Sequence, residues 1–307
     1  MSKTAFLFAG QGAQFVGMGK DLVEQFDSAK ALFDQANDIL GYDLASICFD
    51  GPEDELTKTE HAQPGIYLAS WVALQLLKER VPSLKADATA GLSLGEFTAL
   101  AAAGSMSFED GLKVVRQRGL FMQEACDDAK GAMAAIIGMD QDAVQKVCDE
   151  AGVQLANLNC PGQIVISGAA DKIEAACELA KAQGAKRALP LPVAGAYHSS
   201  LMTSASSRLD SVLNETALTQ PSVPVISNVT AEAHGANISE VLVQQVTSSV
   251  LWEASVRKLI TDGFDTFIEF GPGNALAGFM KRIDRSQTVH NVGSVATLEK
   301  TVEALNA

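Results

Sequence analysis

The sequence predicts an α/β protein with a mainly parallel sheet and an inserted ferredoxin-like subdomain. Short apolar strands alternate with amphipathic helices along most of the chain, a pattern typical of a parallel sheet covered by helices. Between Gly131 and Leu191 the order changes to βαββαβ, and about 60 residues is the size of a ferredoxin-like unit. We therefore expect a larger domain from residues 1–128 and 197–307 and a subdomain from residues 129–196.

The larger domain begins with two apolar strands, at Thr4–Ala9 and at Ala88–Leu92. The first strand runs into a glycine-rich loop, and an alanine-rich helix over Leu94–Ala103 follows the second at once. Ser107 and Asp110 have the spacing of a capping box, which predicts the start of a longer helix.

The remaining helices and strands are predicted from the spacing of apolar residues along the chain. In the subdomain the pattern predicts strands at 132–137, 153–158, 163–167 and 186–191 and helices at 141–151 and 172–183. After Pro192 it predicts a helix through Leu209 and Val212 and short strands at 225–228, 266–270 and 289–292. This return to alternating strands and helices is why we expect the chain to rejoin the larger domain.

The charge balance excludes a general affinity for nucleic acids. The 307 residues include 37 Asp and Glu against 23 Lys and Arg, a formal net charge of −14. Nucleic-acid-binding proteins neutralise phosphates with Lys and Arg, and this chain has no such excess. Hydrophobic residues make up 47% of the sequence and charged residues 20%, the balance of a folded globular protein rather than a disordered one.

The sequence also predicts a cytoplasmic protein without a membrane span, a disulfide framework or a metal site. The apolar run at the N-terminus is too short for a signal peptide, and no run of about 18 apolar residues could cross a membrane. The five cysteines are widely spread, with no Cys-x-x-Cys pair and no histidine at ligand spacing. We expect them to be buried free thiols.

The strongest candidate for a catalytic residue is Ser93. It lies in the sequence Gly91-Leu92-Ser93-Leu94-Gly95, between a predicted strand and a predicted helix. In a nucleophile elbow, two glycines relieve crowding around a sharply turned serine, and the helix N-terminus stabilises negative charge on a substrate oxygen. A turn of small residues that allows close packing is the structural alternative. The placement between strand and helix favours the nucleophile.

A serine nucleophile needs a base, and the chain has four histidines. His198 follows a predicted strand and a turn containing Pro and Gly, which predicts a strand-to-helix junction of the larger domain. His290 lies in a strand where a core histidine is expected, His234 in a loop expected to be solvated, and His61 near the start of a helix. We therefore prefer His198 as the base.

Arg118 lies on the long helix predicted after Ser107. It comes three residues after Val115 and four before Met122, so its side chain projects beside the apolar face. A solvated or salt-bridged helix arginine is the usual alternative. Its position beside the apolar face favours a role in a site.

Six ordered motifs resemble those of malonyl-CoA:acyl-carrier-protein transacylases, and the resemblance covers essentially the whole chain. The motifs are Phe8-Ala9-Gly10-Gln11-Gly12, Gln63-Pro64, Gly91-Leu92-Ser93-Leu94-Gly95-Glu96, Arg118-Gly119 with Met122-Gln123, Gly195-Ala196-Tyr197-His198-Ser199 and Phe270-Gly271-Pro272-Gly273. The resemblance implies a hydrolase-like α/β core with an inserted ferredoxin-like subdomain, in agreement with the fold predicted from periodicity.

The resemblance implies transfer of a malonyl group from malonyl-CoA to the phosphopantetheine thiol of acyl carrier protein, for fatty-acid or polyketide chain elongation. Ser93 would then be the nucleophile and His198 the general base, with ping-pong kinetics. The backbone N–H groups of Gln11 and Leu94 would hold the oxyanion. Arg118 would bind the malonyl carboxylate through its planar guanidinium.

Further roles around the pocket are implied by the same resemblance. Tyr197 would narrow the pocket against the extra methyl of a methylmalonyl group. Gln63 and Met122 would contact the substrate, although core packing is an equal alternative for Met122. The backbone carbonyl of Leu251, at a position that is often glutamine, would orient the catalytic histidine.

Two other residues depart from the family pattern. Leu92 stands before the nucleophile where the family usually has histidine, which leaves the chemistry possible and the rate open. Ala9 replaces a usual proline, and we expect this to loosen the first loop slightly.

The implied partners are malonyl-CoA and acyl carrier protein, with no cofactor and with a monomer expected. Because carrier proteins are acidic, the net charge of this chain requires a locally basic docking surface. The densest basic groups, for which simple solvated surface is the alternative, are Lys186, Arg187, Lys281, Arg282 and Arg285. A serine thioesterase or hydrolase and a catalytically weakened carrier-docking subunit are the alternative functions.

Overall fold

The computed structural model describes residues 2–306, which form two β-sheets and the helices around them. The strands are β1 (Thr4–Phe8), β2 (Ala88–Gly91), β3 (Gly131–Ile137), β4 (Gln154–Cys160), β5 (Gln163–Ala169), β6 (Arg187–Pro190), β7 (Val225–Ile226), β8 (Thr266–Phe270) and β9 (Thr288–Val292). The helices are α1 (Lys20–Gln25), α2 (Asp27–Leu40), α3 (Leu44–Asp50), α4 (Glu53–Thr57), α5 (Thr59–Arg80), α6 (Leu94–Ala102), α7 (Phe108–Asp128), α8 (Gln141–Ala151), α9 (Ala170–Ala182), α10 (Thr203–Glu215), α11 (Ile238–Gln245), α12 (Trp252–Thr261), α13 (Ala275–Ile283) and α14 (Val295–Asn306).

The larger sheet has five parallel strands in the order β7-β2-β1-β8-β9, which confirms the predicted α/β class. The central strands β2, β1 and β8 are almost fully buried because helices cover the sheet, whereas the edge strand β9 is only partly buried. Phe8 of β1 lies beside Gly91 of β2 and Phe270 of β8, so the carboxyl ends of the three central strands meet at one edge. Ligands bind at that edge in open α/β sheets.

The smaller sheet has four antiparallel strands in the order β4-β5-β3-β6. Together with α8 and α9, these strands follow one another as βαββαβ, so the predicted ferredoxin-like arrangement is confirmed. The elements span residues 131–190. The subdomain bounds 129–196 stay a prediction, and the outermost residues of the larger predicted domain, Met1 and Ala307, lie outside the described residues.

Helix α7 begins where the capping box predicts. The Ser107 hydroxyl accepts the backbone N–H of Asp110 at 3.0 Å and donates to the Asp110 carboxylate at 2.9 Å. Helix α7 packs along α5, and the apolar face of α7 that contains Leu112, Val115 and Met122 is buried there. This packing carries Arg118 into the interior on the same face of the helix.

All five cysteines are buried, as predicted. Across residues 2–306, no helix is both long and apolar enough to cross a membrane.

Candidate active site

Ser93 stands at the sharp turn between β2 and α6. Its backbone has φ 54° and ψ −104°, a strained conformation for a residue with a side chain. The turn is tight enough that a Cβ on Gly91 would lie 1.9 Å from the backbone of Gly95, and a Cβ on Gly95 would lie 2.2 Å from the carbonyl oxygen of Phe8. Both positions therefore require glycine, as the nucleophile elbow predicts.

His198 contacts the serine across 105 residues of sequence. Its Nε2 lies 2.7 Å from the Ser93 hydroxyl, and its Nδ1 lies 2.9 Å from the backbone carbonyl oxygen of Gln245. A carbonyl only accepts, so Nδ1 carries the ring proton and Nε2 is free to accept the serine proton. Burial, followed by the nearby Arg118 guanidinium, lowers the pKa of His198 to about 4. The imidazole is therefore neutral at pH 7, as a general base must be.

Arg118 is 1% exposed and reaches the same serine. Its guanidinium donates to the Ser93 hydroxyl at 3.0 Å, to the Gln63 side-chain oxygen at 2.7 Å and to the Gln245 side-chain oxygen at 2.9 Å. Its Nε is buried without a hydrogen-bond partner. Within residues 2–306 no carboxylate forms an ion pair with it, and burial lowers its pKa to about 10. A buried guanidinium without a counter-ion suits an anionic ligand.

The other predicted pocket residues lie around this centre. Tyr197 and Thr59 share a short hydrogen bond, and the Gln11 amide donates to the Thr59 hydroxyl at 3.3 Å. The Gln63 amide donates to the side-chain oxygen of Gln11 at 3.3 Å and to the sulfur of Met122 at 3.4 Å. Burial raises the pKa of the Tyr197 phenol, which stays neutral. Tyr197, Gln63 and Met122 are therefore connected to one another through the side chains of Gln11 and Thr59.

Ser93, His198, Tyr197, Gln11 and Met122 are among the residues that line a cavity of about 250 Å³. Ser93 and Gln11 follow strands of the larger sheet, Tyr197 and His198 lie in the segment between β6 and α10, and Met133, Asn157, Asn159 and Val165 come from strands of the antiparallel sheet. The cavity thus lies between the two sheets, beside the carboxyl end of β2.

Gln11 and Leu94 supply the two backbone N–H groups that the sequence predicts as an oxyanion hole. Leu94 is the first residue of α6, and Gln11 lies in the loop after β1 and lines the cavity. Among residues 2–306, neither N–H has a protein acceptor. Both are therefore free to donate to a ligand.

Comparison with known proteins identifies the family. Residues 5–307 match the acyl transferase domain. The chain is 50% identical over 312 residues to a malonyl CoA-acyl carrier protein transacylase of Bacillus subtilis, with 99% of this chain and 98% of the relative covered. The chain belongs to the malonyl-CoA:acyl-carrier-protein transacylase family.

Solved structures of transacylases share the fold along the whole chain. A malonyl CoA-acyl carrier protein transacylase of Clostridium perfringens superposes with a TM-score of 0.94 at 42% identity, over 99% of this chain and 98% of that one. A malonyl-transacylase in complex with its type II polyketide synthase acyl-carrier protein superposes with a TM-score of 0.95 at 36% identity, over 99% of this chain and 100% of that one.

The prediction that the Leu251 carbonyl orients the base of this transacylase is wrong. That carbonyl accepts the N–H and the hydroxyl of Ser255, each at 2.9 Å, in the first turn of α12. The carbonyl beside His198 belongs to Gln245, the last residue of α11. Helix ends leave carbonyls without intrahelical partners, so Gln245 can offer its oxygen to the imidazole.

The backbone N–H of Ala9 donates to the Phe270 carbonyl at 3.1 Å, a bond that proline could not make, and the slight loosening of the loop stays a prediction. One further expectation is corrected. His234 is not solvated: its side chain is fully buried, and its Nε2 lies 2.6 Å from a carboxylate oxygen of Glu96.

Sequence reasoning missed a group of buried polar residues below the nucleophile, namely Glu96, Asn228, His234 and Gln245. Glu96 is part of the elbow motif and lies one turn after Ser93, which is a signal that it belongs to the site. Asn228 and Gln245 follow no motif, and they reach the serine only through the folded chain.

Proposed function

We propose that this chain transfers a malonyl group from malonyl-CoA to the phosphopantetheine thiol of acyl carrier protein, through a malonyl ester on Ser93. One observation carries the proposal: the Ser93 hydroxyl, which lines the cavity, lies 2.7 Å from a neutral imidazole and 3.0 Å from a buried guanidinium. The imidazole accounts for acyl transfer, and the guanidinium accounts for an acyl group that carries a carboxylate.

In the first half-reaction Ser93 attacks the thioester carbonyl while His198 Nε2 takes the hydroxyl proton. The N–H groups of Gln11 and Leu94 stabilise the oxygen that gains negative charge. As the carbon–sulfur bond breaks, His198 returns the proton to the CoA thiolate, and the malonyl group remains as an ester.

The second half-reaction reverses these steps with a different thiol. His198 takes the proton of the phosphopantetheine thiol, whose sulfur attacks the ester carbonyl. The ester bond breaks, and Ser93 recovers its proton from His198. The Gln245 carbonyl stabilises the imidazolium at both stages because Nδ1–H stays hydrogen-bonded to it.

Selection of malonyl follows from the unpaired Arg118. In the free enzyme its guanidinium donates to neutral oxygens of Gln63, Ser93 and Gln245, whereas a malonyl carboxylate offers two charged acceptors. Tyr197 and Met122 narrow the cavity beside it, which disfavours a methyl branch.

We also propose that the acidic carrier protein docks on the exposed basic residues Lys186, Arg187, Lys281 and Arg285. Their charge is opposite to that of the carrier and to the net charge of this chain. Arg282 is less suited because its guanidinium donates to the Gln163 side chain at 2.8 Å and the Pro161 carbonyl at 2.9 Å. Glutamate at Lys281 and Arg285 should slow transfer to the carrier and spare acylation by malonyl-CoA, and unchanged transfer contradicts this docking site.

We further propose a monomer that acts in the cytoplasm without a further cofactor. One chain supplies every group named in these steps, which supports chemistry without a second subunit or a cofactor. Light scattering of the purified protein during size-exclusion chromatography tests the monomer.

Intact mass spectrometry tests the function. Wild-type protein given malonyl-CoA should gain one malonyl group, and Ser93→Ala should gain none. When carrier protein is added, the malonyl group should move from the wild-type protein to the carrier's phosphopantetheine thiol. Faster release of free malonate than transfer points to a hydrolase. Absence of an adduct on folded wild-type protein points to a carrier-docking subunit without activity.

A further inference from the structure

Glu96 and His234 form a buried pair that touches none of the reacting atoms. Both side chains are fully buried, and His234 Nε2 lies 2.6 Å from Glu96 Oε1. Glu96 comes from the first turn of α6, three residues after the nucleophile, whereas His234 comes from the segment after β7. The pair therefore ties two separate parts of the chain together beneath the site.

The second carboxylate oxygen of Glu96 holds two more donors. It accepts the side-chain N–H of Gln245 at 2.7 Å and the backbone N–H of Asn228 at 3.1 Å. Three donors thus converge on one carboxylate, the pattern that compensates a buried charge for its lost hydration.

Gln245 connects Glu96 to all three groups at the reaction centre by hydrogen bonds. Its backbone carbonyl contacts His198, its side-chain oxygen accepts from Arg118, and its side-chain nitrogen donates to the Ser93 carbonyl at 2.9 Å.

Asn228 adds a second connection to the serine. Its side-chain oxygen accepts the Ser93 N–H at 2.6 Å, and its side-chain nitrogen donates to the Gly91 carbonyl at 2.7 Å. Each end of the elbow is therefore one hydrogen bond from a residue that Glu96 holds.

We propose that Glu96 and His234 are positioning residues for the transfer reaction, acting through Gln245 and Asn228. This inference rests on the proposed function for its substrate. Without the imidazole, one buried oxygen of Glu96 would lack a hydrogen-bond donor. The carboxylate would then shift towards another donor. Gln245 would move with it, and the base, the guanidinium and the serine would lose their mutual alignment.

The test uses Glu96→Gln, His234→Leu and His234→Gln in the full chain. The rate constants of Ser93 malonylation and of transfer to the carrier thiol are measured per folded molecule. In Glu96→Gln and His234→Leu both should fall by about 10²-fold, the cost of misplacing reacting groups by about 1 Å. His234→Gln should recover most of the loss, since its amide can still donate to Glu96.

A second readout does not depend on malonyl-CoA. A fluorophosphonate reacts with an activated serine: the Ser93 oxygen bonds to phosphorus, fluoride leaves, and His198 takes the hydroxyl proton. The variants should slow this reaction in the same order. If wild-type protein reacts with the fluorophosphonate and not with malonyl-CoA, the proposed function fails while the positioning role is still judged by the variants.

The matched controls come from a second contact between a histidine and a glutamate, where His61 Nδ1 lies 3.1 Å from Glu55. His61→Gln and Glu55→Gln should leave both reactions unchanged. A purely structural role predicts lower thermal stability with wild-type rates per folded molecule, and that result overturns the proposal. If Glu96→Gln fails to fold, equal rates in the two His234 variants overturn it as well, as does wild-type protein that reacts with neither reagent.

Discussion

The two sheets contribute different kinds of residue to one cavity. Ser93 lies at the end of β2 of the parallel sheet, and the described side chains that contact its hydroxyl come from α7 (Arg118) and from the segment between β6 and α10 (His198). The antiparallel sheet supplies wall residues only, among them Met133 and Asn157. Catalysis and enclosure of the substrate therefore depend on different parts of the fold. Substitutions near the reacting groups and substitutions in the antiparallel sheet should have separable effects.

Arg118→Met should give the largest effect on specificity. It removes charge-assisted hydrogen bonds worth about 1.5–3 kcal/mol, so acylation by malonyl-CoA should fall by about 10- to 10²-fold relative to acylation by acetyl-CoA. Parallel measurements of adduct formation with the two thioesters give the ratio. An unchanged ratio would assign carboxylate recognition to another residue.

The pH profile of Ser93 acylation should show an unusually acidic midpoint. The base must be neutral, and its pKa is lowered to about 4, so the rate should hold from pH 7 to about 5 and halve near pH 4. Because the Arg118 guanidinium contributes to this lowering, Arg118→Met should move the midpoint to higher pH. A midpoint near 6.5 in the wild type would contradict the buried neutral imidazole.

Stability must be followed in the same experiment because the same imidazole affects it. As the pH falls below 6.5, the unfolded chain binds a proton on His198 while the folded chain does not, so this group reduces the free energy of unfolding down to about pH 4. Circular dichroism at each pH separates unfolding from loss of the base.

Asn157→Ala tests whether the wall affects binding alone. Loss of one neutral hydrogen bond to the ligand is worth about 0.5–1.5 kcal/mol, so KM for malonyl-CoA should rise by about two- to tenfold with kcat unchanged. Steady-state kinetics check this split. A fall in kcat instead would place the antiparallel sheet in the chemistry and end the division of tasks.

The elements of the antiparallel sheet could be predicted from sequence because their signals are local. Helix α8 covers 141–151 as predicted, since its cap, its apolar face and its terminal glycine lie within a few residues of one another. Ser93 was predictable for the same reason, because close backbone packing restricts both flanking positions to glycine.

The support of the site could not be predicted in this way. Gln245 orients His198 through a backbone carbonyl, a group that every residue has, so residue identity could not distinguish it from Leu251. Asn228 and His234 meet Ser93 and Glu96 across more than 130 residues, and only the folded chain brings them together.

The smallest predicted effect lies in the antiparallel unit. Asp140 caps α8 by accepting the Ala143 N–H at 2.8 Å, and Asp140→Ala should lower the free energy of unfolding by about 1 kcal/mol. Asp142→Ala, in the first turn of the same helix, removes a carboxylate without removing this cap and should cost less. Urea unfolding measures both. Turnover per folded molecule should stay at the wild-type value, because α8 packs against β4 and β5 and holds none of the reacting groups; a loss of turnover would show that the two sheets are coupled.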